Sequence, residues 1–487
     1  MEQISEDYLY RAFMAKDSRF DGRFFVGITS THIYCRPVCK AKRAKQKNCR
    51  FFTTAAEAEA AGFRPCLLCR PELAPEAALM NPNDHLLAKA VNMIEEHCGN
   101  ISSLKEIAEK LGYSDRHLRR VFNEEYHVSP IQYLQTCRLL LAKNLLTDTN
   151  LPVLDVAMTA GFGSLRRFNS LFKKQYNLTP TDLRKRNGTG NKEEGQITLG
   201  LGYRPPYRWQ EILDFFEMRA IKGIEVIQEG HYLRTVHVKS IQGADYYGWI
   251  KVRSDEEKSV LKVTVSESLL PVLSQVLKKV RQLFDLYCDP EIVYETMKNM
   301  DNFLIGSRIP GCFDPFEMSV RAILGQQITV KGASTLAARV VEKYGKPIET
   351  PIDGLTHVFP APADIIDLAD TLEEQFGKLG VIRTRTKTIL ALAEALENNE
   401  LTLEFPADPE EEMKQLVKIS GIGKWTAQYI AMRALNWTDA FLETDVGIKK
   451  ALTLMNQKEM LDWANQWRPW RSYAIVALWN SLKKKED

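Results

Sequence analysis

The stretch LVKISGIGKWTAQYIAMRALNWTDAFLETD, residues 416–445, constrains this chain more than any other. An apolar helix end (Leu416, Val417, Ile419) runs into Gly421-Ile422-Gly423, and Lys424-Trp425-Thr426-Ala427 opens a second helix. Two glycines around one aliphatic residue predict a helical hairpin that presents backbone N–H groups at a helix N-terminus, a site for an anion. Ile422 is expected to plug the turn into the core. A hairpin alone would serve equally as a cap in any helical domain. The pattern becomes specific through a lone carboxylate, Asp445, placed after the second helix at the start of the next apolar segment.

Hairpin and carboxylate together resemble the helix-hairpin-helix DNA glycosylases. Trp467-Arg468-Pro469-Trp470-Arg471-Ser472-Tyr473-Ala474 is similar to the AlkA-like 3-methyladenine type, as are Pro205-Pro206-Tyr207 and Arg321-Ala322-Ile323-Leu324-Gly325-Gln326. The resemblance implies that Asp445 is the essential carboxylate and that the backbone of Gly421 and Gly423 meets a DNA phosphate. It implies an aromatic base pocket of Trp425, Tyr429, Trp479 and Phe215. Such rings suit N-alkylated purines, which carry positive charge, because a desolvated cation gains up to about 2 kcal/mol on an aromatic face. Those bases are already good leaving groups, so the demand falls on Asp445, which would stabilise an oxocarbenium-like sugar. The target base must be flipped out of the stack. Bifunctional relatives carry a Schiff-base lysine where this chain has Trp425, which implies a monofunctional glycosylase, with Lys424 alongside. The residue that fills the vacated base space is expected at Gln327 or Ile328. Thr444 stands where AlkA-like chains have a second acid.

Nearer the N-terminus, Cys35-x3-Cys39 and Cys66-x2-Cys69 are separated by 26 residues. Thiolates so spaced can hold one Zn²⁺ and close a small domain otherwise poor in apolar residues. The run Arg36, Lys40, Lys42, Arg43, Lys45, Lys47, Arg50 lies between the pairs without an acid, and Cys49 within it is expected to be a bystander. Tyr34-Cys35-Arg36-Pro37-Val38-Cys39 and Gly62-Phe63-Arg64-Pro65-Cys66-Leu67-Leu68-Cys69-Arg70-Pro71 resemble the N-terminal domain of Ada-like proteins. That resemblance implies that Cys35 is both zinc ligand and acceptor of a methyl group from a methylphosphotriester. The Ada family's O6-methylguanine module should carry Pro-Cys-His-Arg, which is absent here, so no O6 activity is expected.

Residues 83–186 repeat internally. Ile107-Ala108 pairs with Val156-Ala157 and Gly112-Tyr113 with Gly161-Phe162, 49 apart; Val121-Phe122 pairs with Leu171-Phe172 and Ser129-Pro130 with Thr179-Pro180, 50 apart. Each copy reads as helix, glycine turn, basic helix and Ser/Thr-Pro helix start, which resembles the AraC-type tandem helix-turn-helix module. Arg116, His117, Arg119 and Arg120, then Ser164, Arg166, Arg167 and Asn169, would face successive major grooves.

The expected fold is mainly α with α+β parts. Residues 1–78 form a small zinc-bound domain, 83–186 the tandem helix-turn-helix, 187–195 a polar linker, 196–290 an α+β domain like the AlkA N-terminal one, and 291–487 an all-helical glycosylase domain. A net charge of +3 gives no argument for nucleic acid from the total; the argument is local. No apolar leader or membrane-length run is seen, so a cytoplasmic, nucleoid-associated protein is expected, without membrane contact. The readings predict one Zn²⁺ and no organic cofactor. The expected partner is double-stranded DNA, alkylated and promoter, with RNA polymerase a candidate, and the chain is expected to be a monomer. The rival reading is a transcription factor whose C-terminal half binds DNA without excising bases.

Overall fold

The computed structural model describes residues 5–75, 85–101, 103–187, 194–403, 409–453 and 455–483. They fold as two units, Met1–Pro205 with Val238–Tyr246 and Ser254–Lys278, and Pro206–His237 with Tyr247–Arg253 and Lys279–Asp487. Most of the expected linker, 188–193, lies outside the described residues.

The first unit opens with α1 (Glu6–Ala15), capped by the Ser5 hydroxyl. Four short strands follow, β1 (Phe25–Ile28), β2 (Ile33–Cys35), β3 (Cys49–Phe52) and β4 (Arg64–Pro65), in the order β3-β1-β2-β4, with α2 (Ala55–Ala60) before β4. Strand β1 pairs antiparallel with β2 and β3, and β2 pairs parallel with β4. The segment is less poor in apolar residues than expected. Phe13, Phe20, Phe24 and Val26 make one buried cluster, and Phe25, Tyr34, Phe52 and Phe63 make another.

Seven helices continue this unit: α3 (His85–His97), α4 (Leu104–Leu111), α5 (Asp115–Tyr126), α6 (Pro130–Asp148), α7 (Val153–Thr159), α8 (Leu165–Tyr176) and α9 (Pro180–Asn187). The long helix α6 buries polar side chains, Thr136, Lys143 and Asn144, because the strand-bearing segment docks on it. Lys143 pairs with Glu72, and Arg70 reaches Glu72 at 2.9 Å, Asp148 at 2.6 Å and Asn144 at 2.8 Å. On α2 the carboxyl of buried Glu59 sits between the hydroxyls of Tyr34 (3.1 Å) and Thr136 (2.9 Å). Burial pushes its pKa up to about 8. Glu59, Arg64, Thr136 and Lys174 are among the residues lining a cavity of about 360 Å³. Further on, β5 (Gln196–Gly202) pairs antiparallel with a strand at Val260–Ser266.

In the second unit α10 (Trp209–Glu217) precedes the antiparallel pair β6 (Glu225–Gln228) and β7 (His231–Lys239). Strand β8 (Asp245–Asp255) contributes Tyr247–Arg253 to this unit, β9 (Val260–Ser266) belongs to the first, and after α11 (Leu273–Leu283) an almost wholly helical run follows. It comprises α12 (Pro290–Met297), α13 (Pro315–Leu324), α14 (Val330–Tyr344), α15 (Pro362–Ile366), α16 (Leu372–Lys378), α17 (Arg383–Glu397) and α18 (Pro409–Lys418). The last four helices are α19 (Lys424–Arg433), α20 (Val446–Ala451), α21 (Gln457–Asn465) and α22 (Arg471–Lys483). Two hydrophobic cores result, one around Phe316, Leu392, Leu416 and Ile430, the other around Phe441, Ile448, Tyr473 and Ile475. Tyr429 of α19 packs against both, so α19 lies in the seam where the cores meet. No described helix is long and apolar enough to cross a membrane.

Candidate active site and metal centre

Helices α18 and α19 form the hairpin. Ile422 is 3% exposed, as a plug should be. Gly421 has φ +93°, and a Cβ there would lie 2.0 Å from Thr388 Oγ1, so both conformation and space require glycine. At Gly423 a Cβ would meet nothing within 4 Å. It caps α19 with no side-chain hydrogen bond to the first turn, leaving backbone donors at an exposed helix start.

Asp445 is the N-cap of α20. Its Oδ1 accepts from the Ile448 N–H at 3.1 Å and from Trp479 Nε1 at 3.1 Å, and its Oδ2 accepts from Trp425 Nε1 at 3.2 Å. With one donor, Oδ2 keeps a lone pair for an outside group. Trp425 and Tyr429, one turn apart, stack at 5.2 Å. Tyr429 meets Trp479 edge-on at 6.3 Å, and Phe215 of α10 stacks on Trp479 at 6.0 Å. The structure thus brings Asp445 and all four expected aromatic residues into one cluster.

Guanidiniums were not anticipated here. The Arg219 guanidinium lies 3.7 Å from the Phe215 ring centroid, and that of Arg433 4.8 Å from the same centroid. Arg433 Nη1 donates to the Tyr429 hydroxyl at 2.8 Å. Burial pushes the Tyr429 phenol up, but Arg433 and Arg219 outweigh it, so the phenol lies below its usual pKa. A sequence signal existed: Phe215-x3-Arg219 and Tyr429-x3-Arg433 are the same aromatic–arginine spacing.

Arg321 lies in a buried ionic group with Glu225, Arg234 and Glu317, and it donates to the carbonyl of Arg219. Lys424 is held by Glu443 at 2.7 Å. Gln326 links two segments, donating to Gly421 O at 2.9 Å and to Thr426 Oγ1 at 3.0 Å. Beside it Gln327 takes a left-handed φ of +56° and is exposed, and Ile328 is exposed too.

In the first unit the sulfurs of Cys35, Cys39, Cys66 and Cys69 lie within 4.8 Å of one another. Strand β2 ends on Cys35 and Cys66 follows β4, so the pairing of these strands joins the two halves. Hydrogen bonding from Cys35 holds the Cys66 thiol below its usual pKa, while Cys39 and its neighbours hold Cys35 above. Four converging sulfurs fit a thiophilic ion in tetrahedral coordination. Cys49 turns away, its sulfur toward Lys45 O. Two side chains of the basic run between the pairs are engaged within the protein. Arg36 pairs with Asp21 and donates to Cys69 O at 3.1 Å, and Arg43 lies over the Phe13 ring at 4.2 Å. Lys40, Lys42, Lys45, Lys47 and Arg50 remain exposed.

Helices α5 and α8 are each 12 residues long, so the one-residue offset in the repeat falls in the turn ahead of α8. Arg116, Arg119, Arg120, Arg166, Arg167 and Asn169 are exposed and His117 half-buried. Arg119 pairs with Asp115 and Arg120 with Glu124, within their own helix. Ser164 caps α8, accepting from the Arg167 N–H at 3.1 Å.

Four family models match: the metal binding domain of Ada over residues 8–72, a helix-turn-helix domain over 107–186, the AlkA N-terminal domain over 198–314, and the HhH-GPD superfamily of base excision DNA repair proteins over 320–460. The probable bifunctional transcriptional activator/DNA repair enzyme AlkA of Mycobacterium tuberculosis is 33% identical over 97% of this chain and 96% of its own length. The chain belongs to this bifunctional AlkA family. Two further relatives of this chain each match one end. The DNA-3-methyladenine glycosylase 2 of Escherichia coli is 35% identical over 57% of this chain and 95% of its own. The bifunctional transcriptional activator/DNA repair enzyme AdaA of Bacillus subtilis is 28% identical over 38% of this chain and 84% of its own.

Proposed function

We propose that the second unit excises alkylated bases from DNA as a monofunctional N-glycosylase of the 3-methyladenine type. The observation that carries this reading is Asp445, oriented by two indole N–H groups beside stacked aromatic rings. The glycosidic bond breaks with its electron pair leaving on the base, and positive charge develops at the sugar. Asp445 Oδ2, with its free lone pair, faces that charge, and water then adds to the sugar carbon and releases a proton to solvent. Trp425 occupies the place a Schiff-base lysine would need, and the neighbouring Lys424 reaches Glu443 at 2.7 Å. The open backbone at Gly423 suits a DNA phosphate, and the exposed Gln327 and Ile328 suit the vacated base space. The test is release of free 3-methyladenine from alkylated duplex DNA. Wild-type protein releases it, and Asp445→Asn lowers release by orders of magnitude while still binding DNA. Release by Asp445→Asn equal to wild type would remove Asp445 from the mechanism.

The first unit reads as the regulatory half. Cys35, Cys39, Cys66 and Cys69 would hold one Zn²⁺, which keeps sulfur as thiolate at neutral pH. The Cys35 sulfur attacks the methyl carbon of a methylphosphotriester; an S–C bond forms, the C–O bond breaks, and the phosphodiester leaves with the electron pair. A thioether does not leave readily, so each molecule accepts once. The helix-turn-helix pair reads promoter DNA through α5 and α8. RNA polymerase as partner and a monomeric state belong to the same proposal.

A further inference from the structure

The cavity of about 360 Å³ in the first unit serves neither activity proposed above. Its walls come from α2 and β4, from the helix α6 that joins the two helix-turn-helix units, and from the end of α8. Gln175 of α8 donates to Phe63 O at 3.2 Å and so ties two of these walls together. The buried polar groups of the lining are Glu59 and Thr136, 8% and 6% exposed. Charge on the lining is one-sided: His32, Arg64 and Lys174 are basic, and Glu59 is the only acid. Glu59 already accepts from the Tyr34 and Thr136 hydroxyls, and burial keeps its carboxyl largely protonated at neutral pH. Other basic side chains of this unit are matched, Lys143 by Glu72 and Arg70 by Glu72 and Asp148. Arg64 and Lys174 have no ion pair among the described residues.

We propose that this cavity binds a small, multiply charged anion, a phosphorylated or polycarboxylic solute no larger than a mononucleotide, held by Arg64, Lys174 and His32. A concave volume of this size, mostly polar and with unmatched basic groups converging on it, suits a small molecule better than a single inorganic ion. The amides of Gln132, Gln135 and Gln175 add hydrogen-bonding groups for the uncharged part of the ligand. A duplex backbone meets outward-facing groups, whereas a free solute can enter as far as Glu59 and Thr136. The site is also separate from the metal centre. Strand β2 pairs with β4 so that His32 and Arg64 stand two or three residues, about 7–10 Å, before Cys66 and Cys35 along their strands. A solute bound there braces the segment that carries the four cysteines against α6 and α8.

The experiment is titration calorimetry of the full-length, DNA-free protein with inorganic pyrophosphate, citrate and adenosine monophosphate, and with adenosine as the uncharged control. At least one of the anions should bind at a single site per chain, and adenosine should not bind. Arg64→Gln and Lys174→Gln should each weaken that binding roughly tenfold or more, the scale of one charge-assisted hydrogen bond. Lys173→Gln removes the same charge from an exposed neighbour outside the lining and should change the affinity by less than about twofold. Thermal unfolding without ligand shows which variants fold, and either Arg64→Gln or Lys174→Gln is enough for the comparison. No binding by any of the three anions, or an equal loss in Lys173→Gln and Lys174→Gln, overturns the inference. Displacement of the bound anion by a short DNA duplex assigns the cavity to a backbone phosphate and overturns it as well.

Discussion

At Asp445, substitution separates two roles that one carboxylate combines. Asparagine caps a helix about as well as aspartate and still offers one acceptor oxygen, so Asp445→Asn should unfold within a degree or two of wild type while excision collapses. Asp445→Ala removes the cap of α20, about 1 kcal/mol, and strips the acceptor from the Trp425 and Trp479 indoles as well. It should therefore lose excision and also melt several degrees lower, which calorimetry beside the excision assay would separate. The carboxylate and its aromatic company were legible in the sequence because family register marks each of them. The arginines were legible only as a shared spacing, Phe215-x3-Arg219 and Tyr429-x3-Arg433, which does not say that both guanidiniums meet one ring. Arg219 lies beyond the end of α10, and side chains from distant helices, Arg321 and Ser334, hold its carbonyl.

Among the elements, the paired helix-turn-helix units differ in how their glycines are used. Both turns have positive φ, +73° at Gly112 and +82° at Gly161. Around Gly112 a Cβ meets open space, whereas at Gly161 it would lie 2.6 Å from Cys98 O and 2.8 Å from Gly99 O. Gly112→Ala should cost about 1–2 kcal/mol for the left-handed backbone, and Gly161→Ala about 2–5 kcal/mol because steric overlap adds to it. Denaturant unfolding of the two variants would measure the difference. The docking of α2 on α6 should depend on pH. Glu59 has its pKa raised from 4.5 to about 8 in the folded chain, so between those values the folded state keeps a proton that the unfolded state has lost. Stability is then full below pH 4.5 and declines as pH rises toward 8. Glu59→Gln should flatten that part of the profile, as read by thermal unfolding between pH 5 and 8. No periodicity in the sequence announced this contact, since Thr136 and Lys143 look like surface residues until the segment that covers them is known.

For the whole molecule, metal removal is the discriminating perturbation. A strong chelator should unfold the segment around the four cysteines and abolish methyl acceptance, while base excision by the second unit continues; loss of both together would refute the division of labour. The local signals, two cysteine pairs and a glycine hairpin, could be read from a few neighbouring residues. The second unit's buried ionic group joins positions as far apart as 96 residues, Glu225 and Arg321, which no window on the sequence spans. The same distance along the chain has a consequence in time. All four sulfurs are in place once Cys69 has been made, but the candidate excision site needs Phe215 from its first helix and Trp479 from its last. At about 5–20 residues per second, a ribosome takes roughly 20–80 s to go from Cys69 to Trp479. On the proposed reading, a newly made chain has its four-cysteine site in place well before its excision site is complete.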